Sequence, residues 1–215
     1  MKELLDYVLH VDVHLAGFIA QYGLWTYALL FLIIFAETGF VVTPFLPGDS
    51  LLFAAGALCA GTVLNVHVLA ALLCVAAVGG NLVNYAVGAY LGPKVFSRED
   101  SWLLRRKHLD RAHAFFEKFG GRSVVLSRFM PIIRTFVPFV AGVGRMPFGR
   151  FFFYNLVGGC GWICLLLYLG WGFGGTEIVR KNFSLVVVAI IAISLIPIAL
   201  EALRAWRGGR SGAAA

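Results

Sequence analysis

Long apolar stretches alternate with short polar segments along most of this chain. Four stretches are continuous and reach the length of about 20 residues that a membrane-spanning helix needs: 22–42, 67–92, 149–172 and 183–203. Residues 1–21 instead mix charged residues with apolar residues at near-helical spacing, which predicts an amphipathic helix at the membrane interface. Because this segment has neither a continuous apolar core nor a small-residue cleavage site, it is not predicted to be a secretory signal peptide.

A further apolar stretch, residues 43–62, is interrupted near its middle by Pro44, Pro47 and Gly48. A segment of this length with such breakers does not form one straight spanning helix. Two half-helices of about ten residues would each rise about 15 Å, roughly half of the hydrocarbon thickness. The sequence therefore predicts a re-entrant hairpin, which enters and leaves the membrane on one side.

Residues 123–146 repeat this pattern and predict a second re-entrant hairpin. Four breakers are expected here, at Pro131, Pro138, Gly142 and Gly144. An inserted hairpin of this kind is tolerated at membrane depth only where protein buries its irregular backbone or where it lines a wet cavity. Both broken segments are thus candidates for a functional site.

The distribution of Lys and Arg predicts the orientation. Of the 18 Lys and Arg, fourteen fall near the N-terminus, in the polar amphipathic connection 93–122, just after the second hairpin, or in the C-terminal tail. The positive-inside rule makes these regions cytoplasmic. These cytoplasmic assignments agree with the number of membrane crossings only if each hairpin returns to the side of the membrane on which it began. The first hairpin then opens outward, and the second opens to the cytoplasm.

A short internal repeat supports two related halves. The segment Phe53–Gly56 reads FAAG and Phe139–Gly142 reads FVAG, and Tyr-Leu-Gly occurs at both 90–92 and 168–170. The predicted fold is an all-α polytopic membrane protein with a single membrane domain over 1–215. It has about four transmembrane helices and two oppositely oriented re-entrant helical hairpins in an inverted repeat, after an N-terminal amphipathic helix.

Composition assigns the chain to membrane proteins: 60% of residues are hydrophobic, 13% are charged, and the mean hydropathy is +0.85. The net charge of +7 is explained by membrane topology and by contact with anionic lipid headgroups, not by nucleic-acid binding. The four cysteines lie in apolar segments without C-x-x-C spacing. No metal site, cofactor or catalytic residue is predicted.

Four ionisable residues lie inside the apolar segments: Glu37, Asp49, Arg128 and Arg134. A charge near the bilayer centre costs about 2.5–3.5 kcal/mol even on a lenient scale, so such residues persist where they pair, meet water or bind a ligand. Two arginines around a proline suit a phosphate headgroup, because the guanidinium holds phosphate oxygens bidentately. The alternative is that acids and arginines only pair to hold the two hairpins together.

Each acid also has a simpler interpretation. Asp49 follows Pro-Gly and is a typical helix N-cap, and Glu37 ends an apolar run where its side chain can extend towards water. Burial disfavours a charged carboxylate while a neighbouring arginine favours it, and this competition suits an acid that couples transport to protons.

Further polar residues in or near these segments either line a cavity or form interhelical hydrogen bonds, and the sequence leaves both interpretations open. The candidates are Asn81, Asn84, Tyr85, Ser127 and Thr135.

Two segments carry a family resemblance. One contains Glu37 and then the run Pro44-x-Leu-Pro-Gly-Asp49, and the other reads SRFMPIIRT over 127–135, followed by Ala141-Gly142. Over about residues 20–205 the chain resembles the DedA family of bacterial membrane proteins, also called the SNARE-associated Golgi or VTT-domain family.

The resemblance implies opposed re-entrant hairpins and lipid translocation in the bacterial cytoplasmic membrane. Undecaprenyl phosphate, moved in support of envelope synthesis, is the first substrate candidate. A phospholipid such as phosphatidylethanolamine is the alternative. The residues required in studied members map onto Glu37, Asp49, Arg128 and Arg134. A phosphatase is a weaker hypothesis, with Ser127 as its one candidate nucleophile. The oligomeric state, including a homo-oligomer, stays open.

Overall fold

The computed structural model describes residues 11–40, 48–60, 62–91, 106–130 and 133–176, and every regular element within these ranges is helical. The elements are α1 (Val11–Gly39), α2 (Gly48–Cys59), α3 (Val66–Leu91), α4 (Arg106–Phe119), α5 (Ser123–Leu126), α6 (Ile133–Val143) and α7 (Phe148–Gly174). Short 3₁₀ turns at Gly120–Arg122 and Ser127–Phe129 flank α5.

Helices α3 and α7 are long and apolar enough to cross a membrane. Their 26 and 27 residues correspond to about 40 Å of helix at 1.5 Å per residue, more than the roughly 30 Å hydrocarbon core. They coincide with the predicted spans 67–92 and 149–172 to within a few residues. The last predicted span, 183–203, lies outside the described residues.

Helix α1 runs without a break through the predicted boundary between an interfacial segment and a first span. Its two glycines before the C-terminal end, Gly17 and Gly23, each cost about 1 kcal/mol relative to alanine, which is too little to end a helix that packs on others. Residues 1–10 lie outside the description, so the interfacial placement of 1–21 stays a prediction.

The two proline-broken segments are each partly described. In the first, α2 begins at Gly48, directly after Pro47, and residues 43–47 lie outside the description. In the second, the chain leaves the helical conformation at Met130, with φ −123° and ψ 99°, and α6 follows. The residue before a proline is pushed towards extended conformations, which explains the break before Pro131.

The prediction that Pro138 and Gly142 break the second hairpin is wrong, since both lie inside α6. A proline six residues into a short helix removes one hydrogen bond, and packing of the surrounding helices compensates for it. Gly142 is held in the helix by a close contact with α3. The helix ends at Val143, immediately before Gly144, which agrees with the remaining predicted breaker.

Helix α2 crosses α7 at a distance that only glycine allows. A Cβ added at Gly56 would overlap the carbonyl oxygen of Leu167, and one added at Gly170 would overlap the carbonyl oxygen of Phe53. The two backbones therefore touch at both points. Small residues at such crossings are typical of helix packing in membranes.

Helix α6 crosses α3 in the same manner. A Cβ at Gly142 would overlap the carbonyl oxygen of Tyr85, and one at Gly88 would overlap that of Phe139. Each Phe-x-x-Gly segment that the sequence analysis identified thus packs backbone to backbone against a long apolar helix. These two crossings fix α2 and α6, which carry site residues, relative to α3 and α7.

Candidate functional site

Three of the four predicted ionisable residues form one ion-pair cluster. Arg134, at the start of α6, donates through Nη1 to Asp49 Oδ1 at 2.8 Å and through Nη2 to Glu37 Oε1. Glu37 lies in the last turn of α1, and Asp49 lies in the first turn of α2. One guanidinium therefore joins three helices.

The two acids differ in exposure. The side chains of Glu37 and Arg134 are 1% and 6% exposed, whereas that of Asp49 is 41% exposed. The Glu37 carboxylate lies on the backbone of Gly48, where a Cβ would overlap it. A buried carboxylate needs an opposite charge, which Arg134 supplies to Glu37 through Oε1.

Trp162, in the middle of α7, covers this cluster. Its indole Nε1 donates to Asp49 Oδ1 at 2.9 Å. Its ring lies 5.2 Å from the guanidinium carbon of Arg134 and 5.9 Å from that of Arg128, within the range of cation–π attraction. Trp162 therefore contacts both arginines and one acid.

Arg128 has a different environment from Arg134. It is 2% exposed, and its Nη2 donates to Asn155 Oδ1 at 2.8 Å. Within the described residues no carboxylate lies at ion-pair distance from it, and its Nε has no hydrogen-bond partner there. A buried cation held by neutral amides keeps its full charge available to an anion.

Two asparagines surround the Arg128 guanidinium. Asn155 Nδ2 donates to Val78 O at 3.0 Å, which directs its Oδ1 towards Arg128. The side-chain amide of Asn81 lies 2.5 Å from Arg128 Nη2 and 2.9 Å from Asn155 Oδ1. Asn155 is thus fixed by a backbone carbonyl of α3, and Asn81 packs against both the guanidinium and the Asn155 oxygen.

The remaining candidate residues are placed as follows. Asn84 Nδ2 donates to Thr135 O at 2.7 Å and to Thr38 O at 3.4 Å, so it ties α3 to α6 and α1. The Ser127 hydroxyl is buried and donates to Val124 O at 3.2 Å. These contacts are interhelical or local hydrogen bonds.

Tyr85 lies at the junction of α3, the turn after α6, and α7. Its hydroxyl donates to Met146 O at 2.5 Å, and its ring stacks on Phe151 with centroids 4.3 Å apart. Among the described residues its contacts are therefore structural, and a cavity-lining role for Tyr85 stays a prediction.

Asn155 and Trp162 are the site residues that the sequence analysis did not identify. Both lie within the predicted span 149–172, which no proline interrupts. One signal was available: Asn155 is a strongly polar residue in an apolar run, as Asn81 and Asn84 are, and the same rule applies to it.

The fold and the buried charges define a class of protein: a helical membrane protein with an ionisable site inside its apolar body. Comparison with known proteins makes this specific. Residues 46–172 match the VTT domain, and the chain belongs to the VTT-domain, or DedA, family, as its motifs predicted.

Relatives match over most of the chain. It is 49% identical over 212 residues to "Protein DedA" of Escherichia coli K12, covering 98% of this chain and 97% of that protein. It is 39% identical over 184 residues to "Uncharacterized membrane protein Rv0364" of Mycobacterium tuberculosis H37Rv, covering 85% and 81%. It is 36% identical over 157 residues to "Inner membrane protein YqjA" of E. coli K12, covering 72% and 70%. No solved structure matches the chain.

Proposed function

We propose that this protein translocates a phosphate-bearing lipid across the bacterial cytoplasmic membrane, with undecaprenyl phosphate as the first candidate and a phospholipid such as phosphatidylethanolamine as the alternative. The observation that carries the proposal is the state of Arg128. It is a buried guanidinium that amides hold and that no described carboxylate neutralises. An anionic headgroup would supply the direct ion pair that this guanidinium lacks among the described residues.

The two arginines have separate roles in this proposal. Arg134 is already neutralised by Glu37 and Asp49, so it holds the helices and supplies the ion pair that changes during transport. Arg128 binds the phosphate, because its planar fork suits phosphate oxygens and its Nε lacks a partner among the described residues. Arg134 becomes a second phosphate ligand once an acid releases it.

Charge balance supports proton coupling. With both acids ionised, the formal charges of Glu37, Asp49, Arg128 and Arg134 sum to zero. A phosphate entering this buried site adds negative charge, and the site returns towards neutrality when one acid takes up a proton. Because an unbalanced charge in a low-dielectric interior is costly, phosphate and proton are expected to enter together.

The proposed topology follows from the positive charge of the connection and tail. The connection, with α4, and the C-terminal tail are cytoplasmic in this proposal, where their Lys and Arg contact anionic lipid headgroups. The relative YqjA is named an inner membrane protein, and we propose the same location for this chain.

Transport without bond cleavage fits the site better than a phosphatase reaction. A serine nucleophile needs an adjacent base. The Ser127 hydroxyl instead donates to a backbone carbonyl of its own segment, and His67 hydrogen-bonds to Tyr168 outside both predicted hairpins. Release of inorganic phosphate from undecaprenyl phosphate by the purified protein would favour the enzyme over the translocase.

The proposal is tested by identifying the lipid that the purified protein retains. Native mass spectrometry would compare wild type with Arg128→Ala and with Arg150→Ala, a matched loss of an exposed arginine at the start of α7. A phosphate lipid retained by wild type and Arg150→Ala, and lost from Arg128→Ala, supports the proposal. Equal retention by all three proteins overturns it.

The same variants are then compared in proteoliposomes for movement of the phosphate headgroup between leaflets. Arg128→Ala should stop this movement, and Arg150→Ala should leave it unchanged. Headgroup movement at the wild-type rate in Arg128→Ala would contradict a transport role for this guanidinium.

A further inference from the structure

Asn155 occupies the position at which a carboxylate would neutralise Arg128. Its Oδ1 accepts from Arg128 Nη2 at 2.8 Å, and its side chain is fully buried. An aspartate is nearly the same size as an asparagine, and with a carboxylate in this place the guanidinium would form a closed ion pair. Asparagine supplies the hydrogen bond and leaves the guanidinium without a direct ion pair.

The orientation of this amide is fixed by a second contact. Asn155 Nδ2 donates to Val78 O at 3.0 Å, so the nitrogen faces α3 and the oxygen faces Arg128. The guanidinium also packs on Gly159, where a Cβ would lie 3.3 Å from Nη2. Arg128 is therefore positioned by α7 through one amide and one glycine, neither of which carries charge.

We propose that Asn155 is the positioning residue that makes the Arg128 site selective for anions, because it orients the guanidinium without neutralising it. This inference rests on the proposed function and assigns its charge selectivity to one side chain. It predicts that the isosteric change Asn155→Asp abolishes selectivity for the phosphate group while preserving the fold. If Asn155 has only a structural role, Asn155→Asp should either leave ligand binding unchanged or cause misfolding.

The test measures binding to the purified full-length protein in detergent by isothermal titration calorimetry. The probes are farnesyl phosphate and farnesol, which share a prenyl chain and differ in the phosphate. The variants are Asn155→Asp and, as a matched control, Asn65→Asp. The control makes the same change in charge at the exposed residue that caps α3, where a carboxylate oxygen can accept from His67 N and Val68 N as the amide does.

Loss of one charge-assisted contact corresponds to about tenfold or more in affinity. Wild type and Asn65→Asp should therefore bind farnesyl phosphate more tightly than farnesol, and Asn155→Asp should lose about tenfold or more of its affinity for farnesyl phosphate alone. Its unfolding temperature is measured alongside, because the variant also loses the bond from Asn155 Nδ2 to Val78 O. An undiminished preference for farnesyl phosphate in a folded Asn155→Asp overturns the inference and leaves the proposed function standing.

Two other outcomes are decisive. If wild type shows no preference for farnesyl phosphate over farnesol, the proposed phosphate site itself is wrong. If Asn155→Asp does not fold, Asn81→Asp places a carboxylate beside the same guanidinium and keeps the Asn155 side chain that donates to Val78 O. Retained phosphate selectivity in folded Asn81→Asp, or misfolding of both variants, would contradict the role of Asn155 in anion selectivity.

Discussion

Trp162 donates its indole hydrogen to Asp49 Oδ1 at 2.9 Å, and Arg134 Nη1 donates to the same oxygen at 2.8 Å. The more exposed acid of the site is therefore held by a neutral donor and a cation together. Because the indole ring also lies within 5.9 Å of both guanidinium carbons, Trp162 contacts both arginines as well as this acid. Trp162 links the ion pair to the proposed phosphate ligand.

Trp162→Phe separates these contacts, since it keeps an aromatic face and removes the donor. A hydrogen bond to a charged group contributes about 1.5–3 kcal/mol, so we expect a loss of stability in this range or below it, because Asp49 is part exposed. Trp162→Leu should lose about 0.5–2 kcal/mol more through the cation–π contacts. Thermal unfolding measures both, with the exposed Trp171→Phe as control. No difference between Trp162→Phe and wild type would contradict the role of the indole nitrogen.

Glu37→Gln and Asp49→Asn should both abolish the pH dependence of translocation while leaving the folded protein and some lipid binding. The reason is that both acids pair with the one guanidinium of Arg134, so uptake of the proton that balances phosphate requires both carboxylates. Glu37→Gln should be the more destabilising, since Glu37 is 1% exposed and Asp49 is 41% exposed. Proteoliposome assays across pH give the profile. If both variants keep the wild-type profile, the acids are structural and the coupling lies elsewhere.

Arg128→Lys and Arg134→Lys should each fail to support transport, although both substitutions keep the positive charge. An ammonium group cannot bridge Glu37 and Asp49 as the two Nη atoms of Arg134 do, and it cannot grip a phosphate bidentately. We expect transport to fall by about tenfold or more in each. Headgroup movement is measured at equal protein level in the membrane. Full activity in either variant would show that only its charge matters.

The charged site could be predicted from the sequence, but the different contacts of its two arginines could not. Ionisable residues are so costly in apolar segments that Glu37, Asp49, Arg128 and Arg134 stand out without a structure. The sequence does not distinguish the two arginines, whereas in the structure Arg134 contacts both acids and Arg128 contacts amides. Which arginine meets the acids depends on the rotation of short helices about their axes, and spacing along the chain does not encode that rotation.

The other differences have local causes. Asn155 and Trp162 lie in an unbroken span, where neither a proline nor a charge draws attention to them. The predicted break at Pro138 follows from a rule for isolated helices, and tertiary packing overrides that rule. On α7 the close contact is made by the glycine of the Tyr-Leu-Gly repeat, Gly170, whereas on α3 it is made by Gly88, which precedes that repeat. Composition alone does not identify which glycine meets a carbonyl.

The positive-inside distribution predicts that α4 and the segment after α7 face opposite sides of the membrane. Single cysteines introduced at Lys107, on α4, and at Lys181, beyond the described residues, should react with a membrane-impermeant maleimide from opposite sides. The background variant replaces the four native cysteines, all in apolar segments. Labelling of both positions from one side would overturn the re-entrant arrangement, because the charge distribution then needs a different number of crossings.

Gly170→Ala should destabilise the protein strongly, whereas Gly172→Ala, two residues along the same helix, should not. A Cβ at Gly170 would overlap the Phe53 carbonyl and force α2 away from α7, moving Asp49 with it. Overpacking of this kind costs about 1–3 kcal/mol. At Gly172 a Cβ meets nothing within 4 Å, and alanine is favoured over glycine by up to about 1 kcal/mol inside a helix. Thermal unfolding and lipid transport of the two variants, purified side by side, measure the difference. Equal stability would contradict the backbone contact between α2 and α7 that positions Asp49 against Trp162.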